Sequence, residues 1–166
     1  PSFAQTPGRL TMMDMGKFKV FTDFAHNVAS YEGLGEFVKS MNAKKSIATL
    51  SMPGDRQIED FEAVAKLAAE TYDEVVLFEG YQRGKPDGYI SSTLEKYLIK
   101  HGMDSSNIDI IFDEHKAVQH VLDNANEGDL IVLSNYDING IQKRIADHKE
   151  MLDKKATLES AKREMA

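Results

Sequence analysis

Three short stretches hold the residues best suited to chemistry. Asp23-Phe24-Ala25-His26-Asn27 crowds a carboxylate, an imidazole and a carboxamide together. Pro53-Gly54-Asp55-Arg56 sets an acid and a guanidinium on a Pro-Gly turn, and Glu79-Gly80-Tyr81-Gln82-Arg83-Gly84-Lys85 carries two cations in a polar loop. Asp23 can accept a hydrogen bond from a sugar hydroxyl or hold a metal-bound water. His26 can donate to a phosphate or a ring nitrogen, and its charge responds to bound phosphate. Arg56, Arg83 and Lys85 offer donors to a carboxylate or phosphate, the arginines bidentately. Each stretch also has a structural reading: Asp23 and Asn27 as helix caps, Gly54 and Asp55 as turn residues, Arg83 and Lys85 as solvated charge.

The chemistry the sequence lacks narrows the field. There is no Gly-x-x-x-x-Gly-Lys-Ser/Thr loop to grip phosphates, no Gly-x-Gly-x-x-Gly after the first strong strand and no Gly-x-Ser-x-Gly elbow. Without cysteine, disulfides and thiolate zinc sites are excluded. His101, His115 and His120 fall on helical patterns. The spacing of His115 and His120 misses the i, i+4 geometry of a metal pair, so no metal site is expected. His148, in a charged tail, reads as solvated.

The elements that position these loops follow from hydrophobic periodicity. Residues 1–8 read as a linker or tail. Arg9 to Met13 and the run from Phe18 form a hairpin turning at Gly16. The run Phe18–Thr22 is a strand, Asn27 is the cap of a helix from Val28, and Tyr31, Leu34, Phe37, Val38 and Met41 are its apolar face. Further strands are predicted at Ser46–Leu50, Glu74–Phe78, Ile108–Phe112 and Asp129–Leu133. Helices are predicted after the Arg56 turn, with Phe61, Val64 and Ala68 on the buried side, at Tyr89–His101 and at Glu114–Asn124. Near-continuous apolar strands alternating with helices give an α/β class: a Rossmann-like, mostly parallel sheet with helices on both faces, an N-terminal hairpin and a long C-terminal helix. The three polar loops all follow strands, so they converge on the carboxyl edge, where such sheets bind ligands. Residues 9–136 read as one α/β domain and 137–166 as a helical extension, solvated beyond Leu152, since a/d heptads are not sustained.

With 166 residues the chain suits one ordinary domain. A net charge of −7 argues against nucleic acid and anionic membrane as partners. No apolar run approaches the roughly 20 residues of a membrane span. The first 17 residues lack the apolar core of a secretory signal, so a cytoplasmic location is expected. Pro1 in place of Met reads as the cut end of a longer protein, or as a processed one.

The order of these motifs resembles the C-terminal domain of the Mur ligase superfamily. In that family a "PGR" linker precedes a strand ending in Asp-Tyr/Gly-Ala-His-Asn/Thr-Pro; here Pro7-Gly8-Arg9 leads to Asp23-Phe24-Ala25-His26-Asn27. Pro53-Gly54-Asp55-Arg56, Arg83-Gly84-Lys85-Pro86 and Glu127-Gly128-Asp129-Leu130-Ile131-Val132 look most like the cyanophycin synthetase branch, with its "PGDRRDED", "RGR" and "PGDLVV" segments. Val28 departs from the family's Pro, and Gln57-Ile58-Glu59-Asp60 from its more charged run. The resemblance covers about residues 7–135 and implies an ATP-dependent, ADP-forming amide ligase that joins an amino acid or peptide to a carboxylate through an acyl phosphate. It implies a central ATP-binding domain of the same parent chain as partner, holding ATP and most of the Mg2+ coordination, without which this chain is inactive. By motif position Arg9 and Asp23 are catalytic, and Arg9, Asp23, His26 and Asn27 are nucleotide contacts. Asp55, Arg56 and Arg83 then belong to the pocket for the incoming amino acid. The amino acid, its acceptor and any homo-oligomer are left open. A non-catalytic Rossmann-like ligand-binding or assembly module is the alternative.

Overall fold

The structure, a computed structural model, describes residues 11–25 and 27–165. Its first strands, β1 (Thr11–Asp14) and β2 (Lys19–Asp23), form the expected antiparallel hairpin, with Thr11 opposite Thr22 and Asp14 opposite Lys19. The Asp14 carboxylate closes the turn by accepting the Gly16 amide at 2.8 Å. Helix α1 (Val28–Ser40) follows, capped by Asn27, whose Oδ1 accepts from the Ser30 amide at 2.9 Å. Then come β3 (Lys45–Leu50), α2 (Ile58–Thr71), β4 (Glu74–Leu77), α3 (Tyr89–Lys100), β5 (Ile108–Ile110), α4 (Glu114–Asn124), β6 (Asp129–Ser134) and α5 (Ile138–Glu164). No described helix is long and apolar enough to cross a membrane.

The six strands make one sheet in the order β1-β2-β6-β3-β4-β5, parallel except for β1. The chain steps outward from β3 to β5 with α2 and α3 on the face that also holds α1, then returns under the opposite face through α4. Crossovers of one hand require this change of face when the direction of travel reverses. The returning strand lands between β2 and β3, so β6 occupies the centre of the sheet.

Strands buried on both sides explain the continuous apolar runs. One cluster packs Tyr31, Leu34 and Val38 of α1, Phe61 and Val64 of α2 and Leu94 of α3 against the sheet. The other packs Val118, Val121 and Leu122 of α4 with Ile141 and Ile145 of α5 under the opposite face. Phe61, Phe78, Ile131 and Leu133 are fully enclosed.

Helix α5 runs 27 residues, roughly 40 Å at the usual rise. Ile141 and Ile145 bury its first half and Leu152 packs partly; residues 153–165 are exposed, as the thinning apolar pattern predicts. His148 corrects the expectation of a solvated side chain. It is 5% exposed, lies edge-on to Phe18 at 6.4 Å between ring centres, and takes the Gln119 amide nitrogen at 3.3 Å. Its place on the Ile141–Ile145 face explains this, since i+3 and i+7 positions share a stripe. Burial holds its imidazole below the ordinary pKa, against the pull of Asp123.

Candidate functional site

Five parallel strands end on one edge, and that edge gathers the loops singled out in the sequence. Because β6 separates β2 from β3, Asp23 lies beside Ser134 in the ladder rather than beside the Pro53 turn. The Asn135 amide donates to the Asp23 carbonyl at 3.3 Å, tying the two strand ends together. Asp23 itself is half-buried. Its charge reaches Tyr31, whose hydroxyl donates to the Ser51 carbonyl at 3.1 Å. Burial first, and Asp23 in addition, push that phenol well above its usual pKa, so it stays a neutral donor, with the Ser134 hydroxyl acting against the shift.

Asn27 serves as the cap of α1: its Oδ1 takes both the Ser30 amide and the Ser30 hydroxyl, at 2.9 and 2.8 Å. This commits the oxygen and leaves only the amide nitrogen to offer a ligand. Arg9 and His26 lie outside the described residues.

The Pro53 turn and the Glu79–Lys85 loop are locked to one another. The Gly54 amide donates to the Tyr81 carbonyl at 2.8 Å, and a Cβ on Gly54 would stand 2.1 Å from the Gln82 carbonyl oxygen. Only glycine permits that approach. Pro53 and Gly54 are buried, whereas Asp55 and Arg56 point their side chains into solvent and make no side-chain hydrogen bond or ion pair among the described residues. Arg83 sits at φ +51, exposed, with its guanidinium carbon 5.2 Å over the Tyr81 ring. Lys85 places its ammonium 4.7 Å from the Tyr89 ring. The edge therefore brings Asp55, Arg56 and Arg83 onto two joined loops, and Asp23 onto a separate turn beside β6.

Two residues went unnoticed in the sequence, and a third, Glu79, was flagged only as part of its loop. Asn135 is 2% exposed, and neither its Oδ1 nor its Nδ2 has a hydrogen-bond partner among the described residues. A buried primary amide without partners costs about 1–3 kcal/mol, so such groups gather where a ligand or second surface completes them. Tyr136, next in the chain, packs its ring against Phe24, Phe78 and Tyr81, with centre distances of 6.0, 5.9 and 4.6 Å. Glu79 accepts from the Ser91 amide and hydroxyl at 2.9 and 2.6 Å through one oxygen and leaves the other buried without a partner among the described residues. The signal for the first two was their position directly after the last apolar strand, the same rule that found the other three loops.

Two cavities are built from other residues. One of about 320 Å³ sits at the opposite, amino edge between the hairpin, the end of α1 and Gly128. Another of about 420 Å³ lies between α4 and α5. The carboxyl edge is instead an open, polar surface built from several loops.

Known proteins share this fold. The family described as "Mur ligase, glutamate ligase domain" matches residues 8–134. The cyanophycin synthetase of Trichormus variabilis is 37% identical over 133 residues, covering 80% of this chain and 15% of that protein. A solved UDP-N-acetylmuramoyl-L-alanyl-D-glutamate–2,6-diaminopimelate ligase superposes with a TM-score of 0.66 at 21% identity, over 81% of this chain and 28% of that one. E. coli FolC in complex with ADP, without folate substrate, gives 0.66 at 17% identity, over 89% of this chain and 33% of that one. At such identities the structural likeness speaks for the fold alone. The chain spans about 15% of the length of the cyanophycin synthetase it matches.

Proposed function

The chain belongs to the Mur ligase family, as its glutamate ligase domain, and we propose that it is the C-terminal domain of an ATP-dependent, ADP-forming amide ligase of the cyanophycin synthetase type. The observation that carries this reading is the open carboxyl edge. It gathers Asp23, Asp55, Arg56, Arg83 and a buried Asn135 amide that has no partner among the described residues, in a sequence with no phosphate-gripping loop of its own. Such an edge suits one wall of a site whose other wall is a separate central domain.

The residues fit ATP from one side only. Asp23 offers a carboxylate to a hydroxyl, Asn27 its amide nitrogen, and Arg9 and His26 complete the nucleotide contacts by motif position. ATP, with Mg2+ held mainly by the central domain, supplies the phosphoryl group that activates the acceptor carboxylate. Arg83 and Arg56 are suited to the carboxylate of the incoming amino acid, Asp55 to its amine, and Asn135 adds one donor and one acceptor. Work of this kind is placement and charge stabilisation rather than covalent chemistry by the protein.

The test takes the longer polypeptide in which this chain follows a P-loop domain and measures ADP release against a panel of free amino acids. Amino-acid-dependent release is expected, and Asp23→Ala should lower kcat/KM about 10²–10³-fold, the scale of losing one charge-stabilising contact, with an unchanged circular dichroism spectrum. A parent that lacks a P-loop domain and releases no ADP returns the chain to a ligand-binding or assembly module.

A further inference from the structure

We propose that Tyr136 is the positioning residue of this edge, a ring that holds the Asp23 turn and the Arg83 loop in one register. The inference rests on the functional reading above only for its kinetic consequence; the geometry stands apart from it. In the sheet, β2 and β4 are separated by β6 and β3. Their tips therefore stand about 14 Å apart, three strand spacings. Tyr136 bridges that gap from the loop after β6. Its ring meets Phe24 edge-on at 6.0 Å and 83° on the β2 side. On the β4 side it meets Tyr81 at 4.6 Å and 66°, and Phe78 at 5.9 Å and 73°. Tyr81 is also the ring beneath the Arg83 guanidinium.

Two further contacts fix the ring. The Tyr136 amide donates to the Glu114 carboxylate at 2.6 Å, which anchors the backbone to the first turn of α4. Gly80 lies so close that a Cβ there would come within 2.7 Å of the ring edge and 2.9 Å of the Ser51 hydroxyl oxygen. The ends of β2 and β4 thus meet at one side chain carried by the loop after β6. The hydroxyl is buried, and although the Ser51 hydroxyl is near, it completes no hydrogen bond among the described residues. The ring, not the hydroxyl, does the holding, so phenylalanine is predicted to replace it.

Amide hydrogen exchange on the full chain is the direct test. Tyr136→Ala is expected to speed exchange about tenfold or more in residues 23–25 and 79–85 and leave the β3 centre (Ile47–Thr49) protected, the mark of local rather than global opening. Tyr136→Phe should behave as wild type. Gly80→Ala, which pushes the ring aside while keeping it, is the second variant and should reproduce the Tyr136→Ala pattern. In the ligase assay described above, Tyr136→Ala should raise KM for the amino acid about tenfold with kcat changed less than about threefold, and Tyr136→Phe should restore KM. Loop exchange that stays at wild-type rates in both Tyr136→Ala and Gly80→Ala overturns the proposal, as does acceleration spread evenly over the sheet. An unaltered KM in an active Tyr136→Ala enzyme, or a Phe variant that fails to rescue, overturns it as well. If the wild-type polypeptide releases no ADP, the ligase reading falls and exchange alone decides the role of Tyr136.

Discussion

Gly54→Ala tests most sharply whether the Pro53 turn and the Arg83 loop act as a unit. The added Cβ would lie 2.1 Å from the Gln82 carbonyl oxygen, 3.0 Å from its carbonyl carbon and 3.0 Å from Lys85 Cγ. The first two are backbone atoms, so a rotamer change cannot relieve the clash, and the loops must part by about 1 Å to restore ordinary contact. That movement stretches the Gly54-to-Tyr81 hydrogen bond, now 2.8 Å. Overpacking of this kind costs about 1–3 kcal/mol and a lost backbone hydrogen bond about 1 kcal/mol more. For a domain of this size that total, about 2–4 kcal/mol, lowers Tm by about 4–16 °C. Thermal unfolding followed by circular dichroism measures it. Gly33→Ala is the matched control: in α1, with open space where its Cβ would go, it should be neutral or stabilising by up to about 1 kcal/mol. A Gly54→Ala protein that melts within 1 °C of wild type, measured beside that control, refutes the coupling.

Three other outcomes follow from the geometry. Asn135→Leu removes two unpartnered polar atoms at similar volume, so it should raise stability by about 1–2 kcal/mol while abolishing amino-acid-dependent ADP release in the longer polypeptide; a less stable, fully active variant would contradict the role of that amide. His148 is held below its ordinary pKa by burial, so the unfolded chain binds its proton more readily. The stabilisation is complete above about pH 6.5 and declines as the pH falls from there toward the lower folded-state value. His148→Phe should therefore lose less Tm than wild type between pH 7.5 and pH 5.5, and parallel pH profiles would count against this. Truncation after Leu152 removes a segment whose described residues, 153–165, are all exposed, and should leave Tm within about 2 °C, since surface groups away from packing contribute little; a drop beyond 5 °C would mean that the end of α5 packs on something.

The fold was legible because the physics that builds it is local. Continuous apolar strands such as Leu130–Leu133 and helices with Phe61, Val64, Ala65 and Ala68 on one face announce themselves by period. Asn27 was legible as a cap for the same reason: a short polar acceptor stands just before an amphipathic run. What chain order cannot reveal is spatial order. The last strand sits in the middle of the sheet, so the loop after it, Asn135-Tyr136, stands between the loops that the sequence did flag. Composition concealed His148 in turn, since its neighbours Asp147, Lys149 and Glu150 read as solvent while its own helical position faces Phe18 and α4.

The position of β6 also explains why the site is open. A strand that enters between β2 and β3 with its following helix on the opposite face splits the loops above it, some turning toward α1 and α2, others toward α5. Such a split forms a crevice at the carboxyl edge in any sheet of this topology. Here that place is an open, polar edge with Asp23 on one side and the joined Gly54 and Arg83 loops on the other. Tyr136 spans it, and Asn135 is buried beside the end of β6 with both amide ends unpaired among the described residues. A self-sufficient site would satisfy those atoms from its own chain, since each unpaired buried group lowers the stability of the free domain. Leaving them unpaired makes sense where a ligand and a second domain arrive together and supply the missing partners. On the ligase reading proposed above, the stability lost in the free domain would then return as a preference for the ligand-bound, two-domain state.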